Sequence, residues 1–435
     1  MTVAQFTSPE VRRPPHGRGT LERIRIGLLG LGQVGSAVAR LAAARPCSTR
    51  AALEITTALV RDPLRPRAMS GITVTADPEA LFATRPSIVV EALGGLEPAR
   101  TLALEAIARG IPVVTANKSL LAHHGNELAE AAALAGVPLR FEASVLAGVP
   151  FLGTFARRPY ASALTSVTGI VNGTTNFILS QMQDGTGDYH SALADAQRRG
   201  YAEPDPAKDV QGIDAAEKLT ILIRQFGGPS VAPWTIETVG IASVTPADLG
   251  HARELGGTLK AVVHASGLES DAVTAFAGPT FVPERHPLAR VHQVSNGLCL
   301  RDLAGSDLCF IGPGAGPDVT AVTVLDDVLE AATRPVHETW PKTARAGHVM
   351  PSVTAWFVRV TSTRALTPGA DMTSLLGAHG VGVERTTARS TRDGRSSFAM
   401  LTYPCGRPRI EHAAAALASA MGTTTSIFRA LELRA

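Results

Sequence analysis

The chain has 435 residues, enough for two or three domains, and 45% of them are hydrophobic, enough to fill those cores. A formal charge of +3, only 5% aromatic residues and no basic run interleaved with aromatics exclude a nucleic-acid surface. No apolar stretch reaches membrane-spanning length, and residues 1–20, polar and containing RRPPHGRG, lack the apolar core of a signal peptide, so a disordered tail and a cytoplasmic location are expected.

An apolar strand, Ile24 to Leu29, runs into GLGQVG, with Gly30, Gly32, Gln33, Val34 and Gly35, and then into a helix with Val34, Val38 and Leu41 on one side. Strand, glycine turn and helix in that order form a dinucleotide-binding fingerprint: the glycines permit the turn, the approach of the pyrophosphate and close helix packing. The second strand, Glu54 to Val60, ends in Arg61, with Asp62, Arg65 and Arg67 behind it. An arginine there suits a 2'-phosphate and favours NADP; a carboxylate at the ribose, as Asp62 would place it, suits NAD.

Further strands are expected at Ser87 to Ala92 and Ile111 to Thr115, with a helix at Pro98 to Arg109 between them. Asn117 and Lys118 follow the second of these, where ligands bind in such sheets. A helix over Gly125 to Ala135 leaves His123 and His124 as exposed residues at its start. A strand at Pro138 to Glu142 then leads into the loop ASVLAGVP, Ala143 to Pro150. The expected fold is α/β, with a Rossmann-type domain over 21–150 that a late helix, Val319 to Ala331, completes within 317–335.

From 151 to 316 alternating segments such as SALTSVTGIV and VTAFAGPTFV predict antiparallel strands, a central α+β domain. A Pro-rich linker over 336–351 and a β-α-β-β-α-β order over 352–435, a ferredoxin-like module, follow. Cys47, Cys299, Cys309 and Cys405 lack metal-ligand spacing and are expected as reduced thiols.

Ionisable groups concentrate in YAEPDPAKDVQGIDAAEKL, Tyr201 to Leu219, after the polar turn NGTTN at Asn172 to Asn176. A proline-stiffened loop carries Glu203, Asp205 and Asp209. Asp214 and Lys218 then fall four apart on a helix, where a carboxylate can orient an ammonium. Asp205 and Lys208 are read as shaping the loop only.

With GLGQVG, VVEALGG, TANKSLLA, FEASVLAGVP, GIVNGTTNFIL, GYAEPDP, G-x-D-A-A-x-K-L and GPGAG in this order, the chain resembles homoserine dehydrogenase from about Ile24 to Ala435. The resemblance implies NAD(P)-dependent interconversion of L-aspartate 4-semialdehyde and L-homoserine. It further implies a homodimer or higher homo-oligomer formed through the central sheet and a last module similar to amino-acid-sensing ACT domains, with threonine as the effector. On its motifs Lys218 is the proton donor and Lys118 the electrostatic support. Asn172, Gly173, Thr174, Glu203, Asp209 and Asp214 bind substrate: Glu203 and one of the two aspartates hold its ammonium while the other aspartate orients Lys218. Gly314 joins Gly30, Gly32, Gln33, Val34, Gly35, Arg61, Asn117 and Lys118 at the cofactor. A monovalent cation falls on Glu142 and the backbone of Val145, Ala147 and Val149, near Gly200. Leu146 and Ala147 replace the family's glycine-rich run there. Two other readings are a reductase of a different small aldehyde and a non-catalytic amino-acid-binding regulator; retention of the glycines and both lysines argues against the second.

Overall fold

The computed structural model describes residues 22–44, 51–67, 71–149, 151–155, 163–185, 187–333, 345–362, 370–390 and 396–431. The expected tail, Cys47 and most of the expected linker lie outside these residues.

The first sheet is parallel and joins β1 (Glu22–Leu29), β2 (Ala51–Leu59), β3 (Thr73–Thr75), β4 (Ile88–Glu91), β5 (Val113–Thr115) and β6 (Leu139–Arg140) in the order β3-β2-β1-β4-β5-β6. Every residue of β4 is buried, as expected of a strand covered on both faces. Successive residues divide between two cores. Leu28, Val90 and Val114 pack towards the helices Gln33–Ala44 and Pro317–Thr333, and Leu29, Val89 and Val113 towards Ala99–Ala108 and Lys118–Ala135. The late helix thus returns to complete this domain, through Ala321, Val324 and Val328. Strand order reverses between β1 and β4, which places the ligand crevice at their carboxyl ends.

One helix begins earlier than its pattern suggests. Expected from Gly125, it starts at Lys118, because the Asn117 side chain accepts the Leu120 N–H at 3.1 Å and caps it. His123 and His124 therefore lie within the helix. His123 contacts the Ser119 carbonyl and the Trp234 ring, and His124 contacts Glu127, all away from the lysines of the site.

The second sheet has β7 (Leu164–Ile170), β8 (Glu237–Thr238), β9 (Gly257–Ser266), β10 (Ala272–Pro283), β11 (Ser295–Asp302), β12 (Asp307–Pro313), β13 (His348–Met350), β14 (Val353–Ser362), β15 (Val383–Ser390), β16 (Ser396–Thr402), β17 (Cys405–Gly406) and β18 (Thr423–Ala430). Its main path runs β12-β11-β7-β9-β10-β18-β14-β16-β15, with β8 and β13 beside β10 and β17 beside β14. Strand β13 falls where a linker was expected. Next to it, Arg345 donates to the carbonyls of Leu268, Glu269 and Ser270, so residues 345–350 are held against the central domain.

The C-terminal residues have the expected β-α-β-β-α-β order, from β14 to β18 with helices Ala370–Ala378 and Arg407–Met421. They do not form a free-standing unit: β18 pairs with β10, Thr280 against Arg429 and Phe281 against Ala430. The module's sheet is apolar on both faces. Val358, Val360 and Met400 meet its own helices, whereas Phe357, Ala399 and Phe428 join a core with Phe177, Leu249 and Phe281.

Two of the cysteines differ from the expectation of reduced thiols. Cys299 and Cys309 face each other across β11 and β12 and are joined as a disulfide, and Cys405 is free and buried. Their spacing of ten residues spans a hairpin whose register brings them together, which cysteine counting does not reveal.

Candidate active site

The glycine turn has the three properties its motif requires. Gly30 has φ +98°, and a Cβ there would lie 2.6 Å from the Ala92 carbonyl oxygen. A Cβ on Gly35 would lie 2.1 Å from the Gly30 oxygen, so helix and turn are in backbone contact, while no atom lies within 4 Å of one placed on Gly32. The open side at Gly32 is where a pyrophosphate needs room, at the N-terminus of the helix starting at Gln33, with Val34 half-buried behind it. The residues therefore fit a dinucleotide.

Beside this turn, the Gly30 N–H donates to the Leu59 carbonyl at 2.9 Å, which brings the end of β2 to the site. Arg61 is exposed two residues later. Arg67 donates to the carbonyls of Asp62 and Arg65 and so braces the loop. At the end of β4, buried Glu91 accepts from the Thr115 hydroxyl, the Leu93 N–H and the Asn117 amide, and burial raises its pKa. The Asn117 amide also donates to the Gly95 carbonyl at 2.7 Å. Asn117 thus fixes the start of the helix whose first residue is Lys118.

The two lysines meet at one carboxylate. Lys118 Nζ lies 2.9 Å from Asp214 Oδ1 and Lys218 Nζ 3.0 Å from Asp214 Oδ2. Lys218 also donates to the Val171 carbonyl at 2.7 Å. Asp214 and Lys218 are one turn apart on the helix Ile213–Gln225, entered through Gly212 in the left-handed conformation at φ +84°. Burial would raise the Asp214 pKa, but the ammonium groups of Lys218 and Lys118 and the Asn172 amide outweigh it and hold the carboxyl below its ordinary value. The charge of Asp214 in turn raises the pKa of Lys118 against the opposing effect of burial.

Asn172 ties the polar turn to this centre: its amide donates to Asp209 Oδ1 at 2.8 Å and Asp214 Oδ2 at 2.9 Å, and its oxygen accepts from the Thr175 N–H as a helix cap. Burial, and then the neighbouring charge of Asp214, raise the pKa of Asp209. Gly173 sits against Val294, and the Thr174 hydroxyl donates to the Tyr201 carbonyl at 2.6 Å, pinning the following loop. Glu203 is on that loop and exposed, with its backbone carbonyl held by Gln197. Asp205 caps the Ala207 N–H, a shaping part as expected, and Lys208 is exposed.

Glu217, which adjoins Lys218, belongs to the site although no sequence motif marks it. It is buried and accepts from the Ser119 hydroxyl at 2.8 Å, linking the two lysine-bearing helices. The only signal was the parallel placement of Ser119 after Lys118 and Glu217 before Lys218.

The loop after β6 lies beside buried carboxyl groups. Buried Glu142 accepts from the N–H groups of Leu152 and Gly153, both at 2.7 Å; burial raises its pKa, and the charge of Glu330 adds to the rise. Asp327, which accepts from the Glu142 N–H, has its pKa raised well above the ordinary value by burial and by Glu142. The Ala147 carbonyl accepts from the Thr323 hydroxyl, and the Ala147 N–H donates to the Gly314 carbonyl at 3.1 Å. Gly200 ends the helix Tyr189–Arg198 with φ +73°. Leu146 adopts φ +49°, a left-handed conformation at a non-glycine residue. Among the described residues no group of three or more His, Cys, Asp or Glu side chains forms a metal cluster, and no helix is long and apolar enough to cross a membrane.

Comparison with known proteins agrees with this geometry. The model of the homoserine dehydrogenase NAD-binding domain matches residues 30–142, and that of homoserine dehydrogenase itself matches 150–329. Homoserine dehydrogenase of Corynebacterium glutamicum is 39% identical over 74% of each chain, and that of Pseudomonas aeruginosa 34% over 94% of this chain and 98% of its own. The crystal structure of a homoserine dehydrogenase from Thiobacillus denitrificans superposes with a TM-score of 0.86 at 32% identity, covering 95% of this chain and 99% of its own. A hyperthermophilic archaeal homoserine dehydrogenase in complex with NADPH gives a TM-score of 0.61 at 26% identity over 72% of this chain and 99% of its own. A dinucleotide-type glycine turn, two lysines on one carboxylate and relatives aligned along almost the whole length place this chain in the homoserine dehydrogenase family, as an NAD(P)-dependent oxidoreductase.

Proposed function

We propose that Lys218 carries the proton in the interconversion of L-homoserine and L-aspartate 4-semialdehyde, and that Lys118 stabilises the charge that grows on the reacting oxygen. A nicotinamide held beside these lysines would supply the hydride chemistry. In the oxidative direction the alcohol proton leaves to Lys218. In the reductive direction the Lys218 ammonium donates to the oxygen as negative charge develops there. The observation that carries this reading is the sharing of Asp214 by both lysines. One buried carboxylate orients two cations, so both reach one point beside the nicotinamide crevice. Asp209 and Glu203 hold the substrate ammonium, and Asn172, Gly173 and Thr174 shape the pocket beneath it. Val171 lends its carbonyl to steer the Lys218 side chain.

NADP is the proposed cofactor, on the exposed Arg61 beside the glycine turn. A monovalent cation is proposed on Glu142 and the carbonyls of Val145, Ala147 and Val149. The donors are oxygens, and a bound cation would favour the charged forms of Glu142 and Asp327, which burial and their neighbouring carboxyl groups disfavour. The edge strand β12, with Leu308 and Ile311 exposed, supports a homodimer through the central sheet. The β-α-β-β-α-β module is proposed to be ACT-like and to sense an amino acid, threonine first, and the enzyme is proposed to work in the cytoplasm. The deciding experiment follows NADPH or NADH formation from L-homoserine, with other small alcohols in parallel. Homoserine-dependent reduction of NADP is expected, and a preference for another alcohol would overturn the substrate assignment.

A further inference from the structure

We infer that Glu237 is a positioning residue for the substrate loop, clamped there by two arginines of the C-terminal module. The Glu237 carboxylate pairs with Arg429 at 2.6 Å through one oxygen and with Arg407 through the other. Arg429 is almost fully buried, and its guanidinium lies 4.4 Å from the Phe276 ring centre and 5.0 Å from that of Trp356. Glu237 opens β8, a strand of only two residues beside β10, followed by one further bond from the Val239 N–H to the Ala277 carbonyl.

The residues that follow Glu237 press on the active-site loop. A Cβ on Gly240 would lie 2.9 Å from the Val210 oxygen and 3.4 Å from Gln211 Cα, and one on Gly212 would lie 3.7 Å from Thr238 Cβ. Val210 follows Asp209, and Gly212 opens the helix that carries Asp214 and Lys218. A cavity lined by Glu237, Val239, Gly278, Trp356, Arg407 and Arg429 adjoins the ion pairs. The segment is therefore not wedged by side chains from that direction, and the ion pairs set where it rests. A short strand with few bonds of its own transmits their geometry to Asp209 and Asp214.

This inference rests on the reading of residues 203–214 as the substrate loop, and four variants separate the two claims. Glu237→Ala should raise KM for homoserine about tenfold or more, because small displacements of positioning groups cost that much, and leave KM for NADP unchanged. Gly240→Ala leaves the ion pairs intact and pushes on Val210, so it should shift the same constant. Glu237→Gln, which keeps an acceptor for one arginine, should recover part of the loss. Asp209→Asn is the control. If Asp209→Asn leaves KM for homoserine unchanged, the substrate-loop reading fails. If it raises KM while Glu237→Ala and Gly240→Ala do not, or if Glu237→Ala only lowers the melting temperature, the positioning role of Glu237 is overturned.

Discussion

Lys118 and Lys218 approach opposite oxygens of one carboxylate, at 2.9 and 3.0 Å from Asp214, although they belong to different helices and lie one hundred residues apart in sequence. Asp214 therefore sets their separation, and the two ammonium groups cannot be moved independently. Lys218→Ala should cut turnover by about 100-fold or more with NADP(H) binding little changed. Asp214→Asn should impair turnover too, by releasing both lysines. Steady-state kinetics with cofactor titration checks this; near-normal turnover of Lys218→Ala would exclude it as the proton carrier.

Asp209 gives the acid side of the pH profile. Its pKa is raised, first by burial and then by Asp214, so its protonated form is favoured by folding, and its ionisation at neutral pH costs stability, which returns as pH falls through the folded pKa. Substrate binding runs the other way, because only the carboxylate attracts the substrate ammonium. KM for homoserine should rise as pH falls, beginning above the ordinary aspartate value of about 3.9. Asp214, held below its ordinary value, stays charged throughout that window. Asp209→Asn should have a high, nearly pH-independent KM. A wild-type KM that stays flat down to pH 4 would rule out Asp209 as an ammonium ligand.

Arg61 tests cofactor choice. Charge-assisted hydrogen bonds to a 2'-phosphate contribute enough that Arg61→Ala should weaken NADP(H) about tenfold to a hundredfold and leave NAD(H) nearly unaffected. Fluorescence titration of both cofactors reads this directly, and equal losses would make Arg61 a structural residue of the loop.

Local geometry was the legible part of this site. The roles of Gly30, Gly32 and Gly35 follow from where a Cβ can fit, and the Asp214–Lys218 neighbourhood follows from helical spacing. Lys118 meeting Asp214 was open to inference only through the family pattern, since no local rule joins residues 96 apart. Strand partners were not legible either. The patterns of β14 and β18 predict strands but not that β10 covers one edge of them, and the register that joins Cys299 to Cys309 belongs to the β11–β12 hairpin.

Leu146 is retained at φ +49° because its side chain is worth more than the strain. A left-handed non-glycine residue costs about 1–3 kcal/mol, whereas truncating a buried leucine costs about 2–5 kcal/mol. Leu146 is 1% exposed, in a core with Val145, Val149 and Phe151. Leu146→Gly should therefore lower thermal stability despite relieving the backbone. Leu146→Ala, which loses the packing and keeps the strain, should lower it further, reversing the usual order of alanine and glycine. Melting curves of the two variants decide it, and an Ala variant more stable than the Gly variant would contradict the strained conformation.

Arg359 of the C-terminal module and Asp248 of the central domain form an ion pair in which Asp248 is fully buried. Asp248 also accepts from Thr245 to cap its own helix, and Arg359 reaches Thr361 and Ser426. Around the pair, His251 meets Ser397, Arg385 donates to the Leu255 carbonyl and Arg389 pairs with Glu254. The module is thus built into the enzyme. Removing one partner of a buried pair strands the other charge, so Arg359→Met should destabilise the protein by about 3–5 kcal/mol. Ending the chain near Pro351 would uncover Leu249, Phe281 and the β10 edge that β18 covers, and should give a protein that melts much lower or aggregates. The proposed response to threonine is therefore best tested in the full chain, with Arg359→Met as the variant that loosens the seam. A soluble chain ending near Pro351 that melts like the full enzyme and oxidises homoserine equally well would show the module to be independent after all.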